Sequence, residues 1–195
     1  MSIFLSMAAF ALASSISPGP VNIVALSAGA QHGLASSMRH VTGATVGFVL
    51  LLLFTGLGLH EVLSRWPGLT RMIQWAGVAF LLFMAYKLAT DNGSLNVDTS
   101  TKGPSMIYGA AMQWLNPKAW LASLAGMGAY AADGGSLQIV QFTAIYFVIC
   151  YVSIACWACA GTYLRQYLSE PRRVRVFNRA MAALLAASAA YLLET

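Results

Sequence analysis

The residues best suited to bind a charged ligand lie beside two proline-containing breaks in otherwise apolar sequence. The first break is Ser17-Pro18-Gly19-Pro20, followed by Asn22, and the second is Asn116-Pro117, flanked by Gln113 and Lys118. Proline disrupts a helix interior but is favourable as the first residue of a helix, particularly after a Ser or Asn cap. Each break therefore predicts that one half-helix ends and another begins, at Pro18 and at Pro117. The positive N-terminal end of such a half-helix attracts an anion.

Lys118 is the only charged residue near the centre of an apolar segment. Ionisable groups in that position are usually functional or paired, and no Asp or Glu at similar depth offers itself as a partner. Two roles are open. The ammonium group helps the half-helix dipoles to neutralise a substrate carboxylate, which we favour, or it pairs with backbone carbonyl groups.

A second chemical interpretation is thiol chemistry by Cys156 and Cys159, which share one apolar segment with Cys150 in a Cys-x-x-Cys spacing. No histidine lies near them to complete a zinc site. A catalytic thiol pair needs a reactive, accessible thiolate, which an apolar helix does not offer. We therefore interpret the three cysteines as small packing residues. A membrane-embedded thiol oxidoreductase stays the alternative function, together with a purely structural membrane protein.

Composition indicates that these residues lie in a membrane. The 195-residue chain is 58% hydrophobic and 9% charged, whereas soluble domains carry about 25% charged residues. The stretches 41–59 and 137–164 contain no charge, and roughly 20 apolar residues span the hydrocarbon core. An alternative for the N-terminus is a signal peptide, with "FALASS" as its cleavage region, but no basic residue precedes the apolar run. The net charge of +5 indicates topology and not nucleic-acid binding.

The pattern predicts an all-α integral membrane protein, since spanning segments must be helical. It places six spans at about Ser2–Ala30, Val41–Leu59, Pro67–Leu88, Ser105–Ala132, Ser136–Gly161 and Val176–Leu193. They form a single transporter domain, 1–195, with repeat one at 1–88, a polar linker at 89–104 and repeat two at 105–195. Spans one and four, which contain the breaks, are long enough for roughly 43 Å, beyond a hydrocarbon core of about 30 Å.

The two breaks occupy corresponding places in the two halves of the chain. Because each half has three helices, an odd number, the second half must lie inverted in the membrane. Paired discontinuous helices in inverted repeats are typical of secondary transporters. The competing interpretation is that proline and glycine are simply commoner in membrane helices.

The basic residues predict the orientation of the spans. One side holds eight of the eleven Lys and Arg residues, and the other holds only Arg65 and Arg71. The positive-inside rule places the richer side in the cytoplasm and both termini in the periplasm. The richer side carries Arg39, Lys87, Lys102, Arg165, Arg172, Arg173, Arg175 and Arg179, and includes the predicted loop "RQYLSEPRRVRVFNR".

On the basis of these motifs, the chain resembles the LysE/RhtB family of bacterial amino-acid exporters. The resemblance rests on "SPGPVN" near the centre of the first span and "LNPKAW" in the second half, and "ALSAGAQHG" looks like the branch that exports cysteine and O-acetylserine. It implies proton-driven export of small neutral amino acids or their derivatives, such as cysteine, O-acetylserine or a homoserine-like compound, across the bacterial inner membrane, without a cofactor and without catalysis. The substrate-binding residues are then expected among Ser17, Pro18, Gly19, Pro20, Asn22, Gln113, Asn116, Pro117 and Lys118.

Two further patterns have mainly structural interpretations. Gly43-x-x-x-Gly47 predicts close helix approach, within the bundle or between subunits of a homo-oligomer. His32, His40 and His60 lie near the ends of predicted spans, where histidine is more often interfacial than a proton relay. The residue that couples transport to protons is therefore not assigned.

Overall fold

The computed structural model describes residues 3–59, 65–90, 104–131, 135–165 and 170–194. Within these ranges the chain is helical and has no strand, which confirms the all-α class. The helices are α1 (Ile3–Ile16), α2 (Pro20–Phe54, continuing as a π-helical turn Thr55–Leu59), α3 (Pro67–Ala89), α4 (Met106–Trp114), α5 (Pro117–Tyr130), α6 (Ser136–Arg165) and α7 (Pro171–Glu194). The predicted linker 89–104 lies largely outside the described residues, at 91–103.

The first and fourth predicted spans are broken where the prolines stand. α5 begins at Pro117, as predicted, and Asn116 caps it by accepting a hydrogen bond from the Lys118 N–H at 3.1 Å. The prediction that Pro18 begins a helix is wrong, because α2 begins at Pro20 after Gly19. A residue that precedes proline is driven to extended backbone, and Gly19 is extended at φ −170° and ψ 172°. The helix therefore cannot begin before Pro20.

The predicted loop between spans one and two does not exist. α2 runs for 35 residues through this region and bends at Gly33, which has φ 78° and ψ 171°. That backbone conformation is essentially restricted to glycine, so one residue turns the chain where a loop was expected. Arg39 consequently lies on the helix. His40 is completely buried, so the interfacial interpretation of this histidine is wrong.

The bundle is held together where small residues let backbones approach. Gly43 and Gly47 of α2 lie directly against the backbone of Met106 and Ala110 in α4, leaving no space for a side chain. The Gly-x-x-x-Gly motif therefore serves contacts within the bundle. α6 lies along both α1 and α2, and α3 packs against α7.

Two of the described helical stretches are long and apolar enough to cross a membrane, Pro20–Gly58 and Ser136–Leu164. α1, with 14 residues, is shorter. Large apolar side chains are exposed over much of the bundle, including Phe4, Leu12, Leu82, Phe83, Ile107, Leu121, Phe147 and Val148. An exposed apolar surface of this extent is what lipid contact requires.

The helices on either side of the predicted Arg-rich loop have bounds that differ from the predicted spans. α6 continues past Gly161 to Arg165, and α7 begins at Pro171, five residues before Val176. Part of the predicted Arg-rich loop is therefore the first turns of α7, in which proline at the first position favours helix formation. Arg172, Arg173 and Arg175 are exposed there.

Candidate functional site

The two helix breaks meet at one cavity in the middle of the bundle. It has a volume of about 40 Å³ and is lined by Gly19 and Asn22 from the first break and by Gln113, Asn116 and Lys118 from the second. Asn22, Gln113 and Asn116 are each 5% exposed. Five of the nine residues predicted to bind substrate therefore line a common space, although they come from positions about a hundred residues apart.

The C-terminal end of α1 would leave carbonyl groups without partners, because a helix end lacks the next turn and Pro18 has no N–H. Side chains donate hydrogen bonds to these carbonyl groups. The Asn22 side-chain amide donates to the Ser15 carbonyl at 2.9 Å and to the Ser17 carbonyl at 2.8 Å. The Trp157 indole donates to the Ile16 carbonyl at 3.0 Å. The Ser17 hydroxyl donates to the Ser14 carbonyl at 3.2 Å.

Lys118 completes this end of α1. Its Nζ donates to the Ser17 carbonyl at 2.6 Å, to the Ser17 hydroxyl at 2.8 Å and to the Pro18 carbonyl at 3.3 Å. A cation is favourable at the negative end of a helix dipole. Lys118 therefore pairs with backbone carbonyls, the second of the two roles open from the sequence.

Gly19 makes room for the Lys118 side chain. A Cβ atom on Gly19 would lie 3.2 Å from Lys118 Cδ and 3.3 Å from its Nζ, closer than ordinary van der Waals contact. The extended backbone at Gly19 is accessible to any residue, so the requirement for glycine here is one of space.

The other predicted residues shape the break without lining the cavity. Pro20 and Pro117 begin α2 and α5, and Pro18 contributes its carbonyl group to Lys118. On the second break, the Trp120 indole donates to the Trp114 carbonyl at 2.8 Å, so a side chain also satisfies the end of α4.

Sequence reasoning missed the wall that α6 contributes. Tyr146, Cys150 and Ile154 line the cavity, together with Phe48 of α2. The Phe48 and Tyr146 rings lie 4.5 Å apart. The i, i+4, i+8 spacing of the α6 residues places them on one helix face. That spacing could have identified the face of α6 that lines the cavity. It does not stand out in the sequence, because α6 is apolar on most of its surface.

Cys156 and Cys159 are exposed on α6 and do not line this cavity, whereas Cys150 is buried in its wall. The Cys-x-x-Cys pair is thus separated from the polar residues of the two breaks. The three free cysteines supply no paired thiol at the site.

The arrangement provides one cation, three side-chain amides, hydroxyl groups and aromatic faces. Among the described residues that line the cavity there is no Asp, Glu or His. Such a set can bind a carboxylate through the ammonium group and hydrogen-bond a neutral polar group.

The comparisons with known proteins agree with this description. The family model for LysE type translocators matches residues 12–195. The chain is 28% identical to the cysteine/O-acetylserine efflux protein of Escherichia coli O157:H7 and 26% identical to that of Salmonella typhimurium strain LT2. Each alignment covers 155 residues, which is 78% of both chains. No solved structure matches the chain significantly.

The family match distinguishes the transporter interpretation of the sequence from the thiol oxidoreductase interpretation. It covers both helix breaks and nearly the whole chain, which confirms the resemblance proposed from the two proline motifs. Translocators move their substrates without transforming them, so the protein is not an enzyme and the thiol oxidoreductase alternative is not supported. The chain belongs to the family of LysE type translocators.

Proposed function

We propose that the protein exports small neutral amino acids or their derivatives from the cytoplasm, with cysteine and O-acetylserine as the first candidates. The observation that carries this proposal is the position of Lys118, whose ammonium group reaches a polar cavity where both broken helices meet. The names of the efflux relatives support the choice of candidates.

Substrate binding uses an exchange of partners at Lys118. A substrate carboxylate enters between the N-terminal ends of α2 and α5, where helix dipoles favour an anion. It competes with the carbonyl groups of Ser17 and Pro18 for the ammonium group. A charge-assisted hydrogen bond to a carboxylate is stronger than one to a carbonyl, so the substrate releases the end of α1.

Selectivity against cationic amino acids follows from the charge of the site. The described lining residues carry a cation and no acid. A second positive side chain on the substrate would be desolvated without a counter-charge, which is costly. The substrate ammonium group is instead bound by neutral acceptors, such as the side-chain oxygens of Asn22 and Gln113.

The two halves are proposed to form inverted repeats, with α1 and the two parts of α2 corresponding to α4, α5 and α6. Reciprocal contacts support this. α1 lies along α6 with Phe10 and Phe142 rings 6.1 Å apart, and α4 lies along α2 with Tyr108 and His40 rings 6.3 Å apart.

A second pair of contacts follows the same correspondence. The Thr162 hydroxyl near the end of α6 donates to the Gly29 carbonyl of α2 at 3.3 Å. The Ser123 hydroxyl of α5 donates to the Thr55 hydroxyl at the end of α2, at 2.9 Å. In both cases the half-helix that follows a break contacts the far end of the long helix of the other half.

Transport requires the cavity to change size. Its volume of about 40 Å³ is far below the roughly 300–1,000 Å³ of typical ligand sites. The breaks therefore separate to admit substrate, and rocking of the two repeats exposes the site to either side of the inner membrane in turn. The proton-motive force is the proposed driving force, with the termini in the periplasm.

Lys118 provides the first test of the proposal. In proteoliposomes loaded with cysteine or O-acetylserine, we expect Lys118→Ala to reduce efflux at least about 100-fold, because the carboxylate loses the one cation among the described lining residues. Lys118→Arg keeps the charge and is the matched variant, with partial efflux expected.

The double variant Cys156→Ser/Cys159→Ser is the control that separates transport from thiol chemistry. Both residues are exposed and lie away from the cavity, so efflux should equal that of the wild type. Normal efflux from Lys118→Ala together with loss of efflux from the double variant would refute the site. Absence of amino-acid efflux from the wild-type protein would refute the function.

A further inference from the structure

A second and larger cavity lies toward one end of the bundle, between the first part of α2, the end of α3 and the start of α4. Its volume is about 370 Å³, and its wall includes Ser27, Gln31, Lys87, Ser105 and Tyr108. It shares no lining residue with the central cavity. We name it the vestibule. The volume falls in the range of small-molecule sites.

The vestibule carries positive charge. Lys87 lines it, with its Nζ 5.7 Å from the centroid of the Phe83 ring, and none of the described lining residues is acidic. The carbonyl groups at the end of α3 do not offset this charge fully, since the Thr90 hydroxyl already donates to the Tyr86 carbonyl at 2.8 Å. The N-terminal end of α4, which begins after Ser105, adds a positive dipole end.

A buried hydroxyl group in the wall points to a ligand. Ser27 is 3% exposed, and its hydroxyl has no hydrogen-bond partner among the described residues. A buried polar group without a partner costs free energy, so such groups are normally satisfied by water or ligand. The Gln31 side chain adds an amide to the same wall; its Nε2 donates one N–H to the Asn178 side-chain oxygen at 3.4 Å, and its second N–H is the one proposed for a ligand.

The vestibule is adjacent to the central cavity along one face of α2. Val21 lines the central cavity, and Val24, Ala28 and Gln31 line the vestibule, at spacings that keep all four on one helix face. His40 lies between the two spaces, since its Nε2 is 3.4 Å from the Val21 carbonyl oxygen and its ring is next to that of Tyr108.

We propose that the vestibule is a second binding site, which holds the carboxylate of a small zwitterion or anion before it reaches the central cavity. Lys87 supplies the charge, while Ser27 and Gln31 donate hydrogen bonds. His40 and Tyr108 form the wall that the ligand must pass. The identity of the ligand as an amino acid and its passage to the central cavity rest on the proposed function.

Charge-selective thiol labelling tests the site without requiring transport. Ser27→Cys is introduced into full-length protein that also carries Cys150→Ala, Cys156→Ala and Cys159→Ala, and Gln31→Cys is the second reporter should Ser27→Cys not fold. Labelling rates in proteoliposomes are compared for an anionic sulfonatoethyl and a cationic trimethylammonioethyl methanethiosulfonate. We expect Lys87→Gln to lower the anion-to-cation rate ratio about tenfold.

Arg39→Gln is the matched control. It removes a cation from an exposed position on α2 that does not line the vestibule, so the rate ratio should not change. Lys87→Arg should preserve it as well. Acetate and O-acetylserine should slow labelling when Lys87 is present and not in Lys87→Gln.

Three results would overturn the inference: no labelling of either reporter, an unchanged rate ratio in Lys87→Gln, or no protection by either carboxylate. Protection without any amino-acid transport would instead refute the proposed function and leave the vestibule as a carboxylate site. The two proposals therefore fail separately.

Discussion

At the residue scale, the central feature is that five consecutive carbonyl groups at the end of α1, from Ser14 to Pro18, accept hydrogen bonds from side chains. In a soluble protein water would satisfy such groups, but lipid cannot. Each group left unsatisfied in an apolar environment costs about 1–3 kcal/mol. The donors that surround the break therefore stabilise the fold. They also keep polar groups at the cavity, where a substrate can bind to them.

Gly19→Ala is a prediction at this scale. The added methyl group displaces the Lys118 side chain without straining the extended backbone. We expect the substrate concentration for half-maximal efflux to rise about tenfold, which corresponds to about 1.4 kcal/mol, with little change in thermal stability. Gly128→Ala is the control, since a Cβ atom there meets nothing within 4 Å. Equal transport by the two variants would contradict the role given to Gly19.

At the element scale, both proline breaks could be predicted from the sequence, because proline interrupts a helix locally. The cap-then-proline pattern located only the second helix start, at Pro117, since the first lies at Pro20. The bend at Gly33 could not be predicted, because the polar residues around this glycine indicate a loop as readily as a helix, and the outcome depends on the packing of both helix arms. The same limit hid the α6 wall of the cavity. Lys118 was found by its charge, but its partners on α1 could be identified only from the packed bundle, since they lie 101 and 100 residues away.

Gly33→Ala is the prediction for α2. A residue with a Cβ atom is strained at φ 78° and ψ 171°, by about 1–3 kcal/mol. We expect lower thermal stability in detergent, because the helix straightens or absorbs the strain. Gly68→Ala serves as the control, as Gly68 has no neighbour within 4 Å of a Cβ atom and lacks a positive φ. A Gly33→Ala protein as stable as Gly68→Ala would show that the bend does not depend on glycine.

At the scale of the whole molecule, the proposed inverted repeats make equivalent helix contacts in the two halves. The residues that the two halves contribute to the central cavity differ in charge. Lys118 follows the second break, whereas Val21 and Asn22 follow the first. The site is therefore asymmetric in charge even where the helices correspond. Rocking of the repeats would change which side of the membrane reaches the cavity while the cation stays near the middle.

The orientation of the chain is a prediction at this scale. The excess of basic residues on one side predicts that both termini lie in the periplasm. Alkaline phosphatase fused after Glu194 should be active, and green fluorescent protein at the same position should not fluoresce in the periplasm. The reverse pattern, a fluorescent and phosphatase-negative C-terminus, would contradict the orientation predicted from the basic residues. A fusion after Leu115 would be uninformative, since that position lies inside the bundle.

The way α1 ends also has a consequence for how the protein is made. Two of the donors that satisfy its carbonyl groups, Lys118 and Trp157, follow their acceptors by 101 and 141 residues. They do not yet exist when α1 leaves the ribosome. We therefore expect α1 to stay in the insertion machinery, with the carbonyl groups at its end hydrated, until α5 and α6 have been synthesised. A nascent chain that stops before Trp157 should accordingly be recognised by membrane quality-control proteases, whereas one that includes α6 should be released into the bilayer.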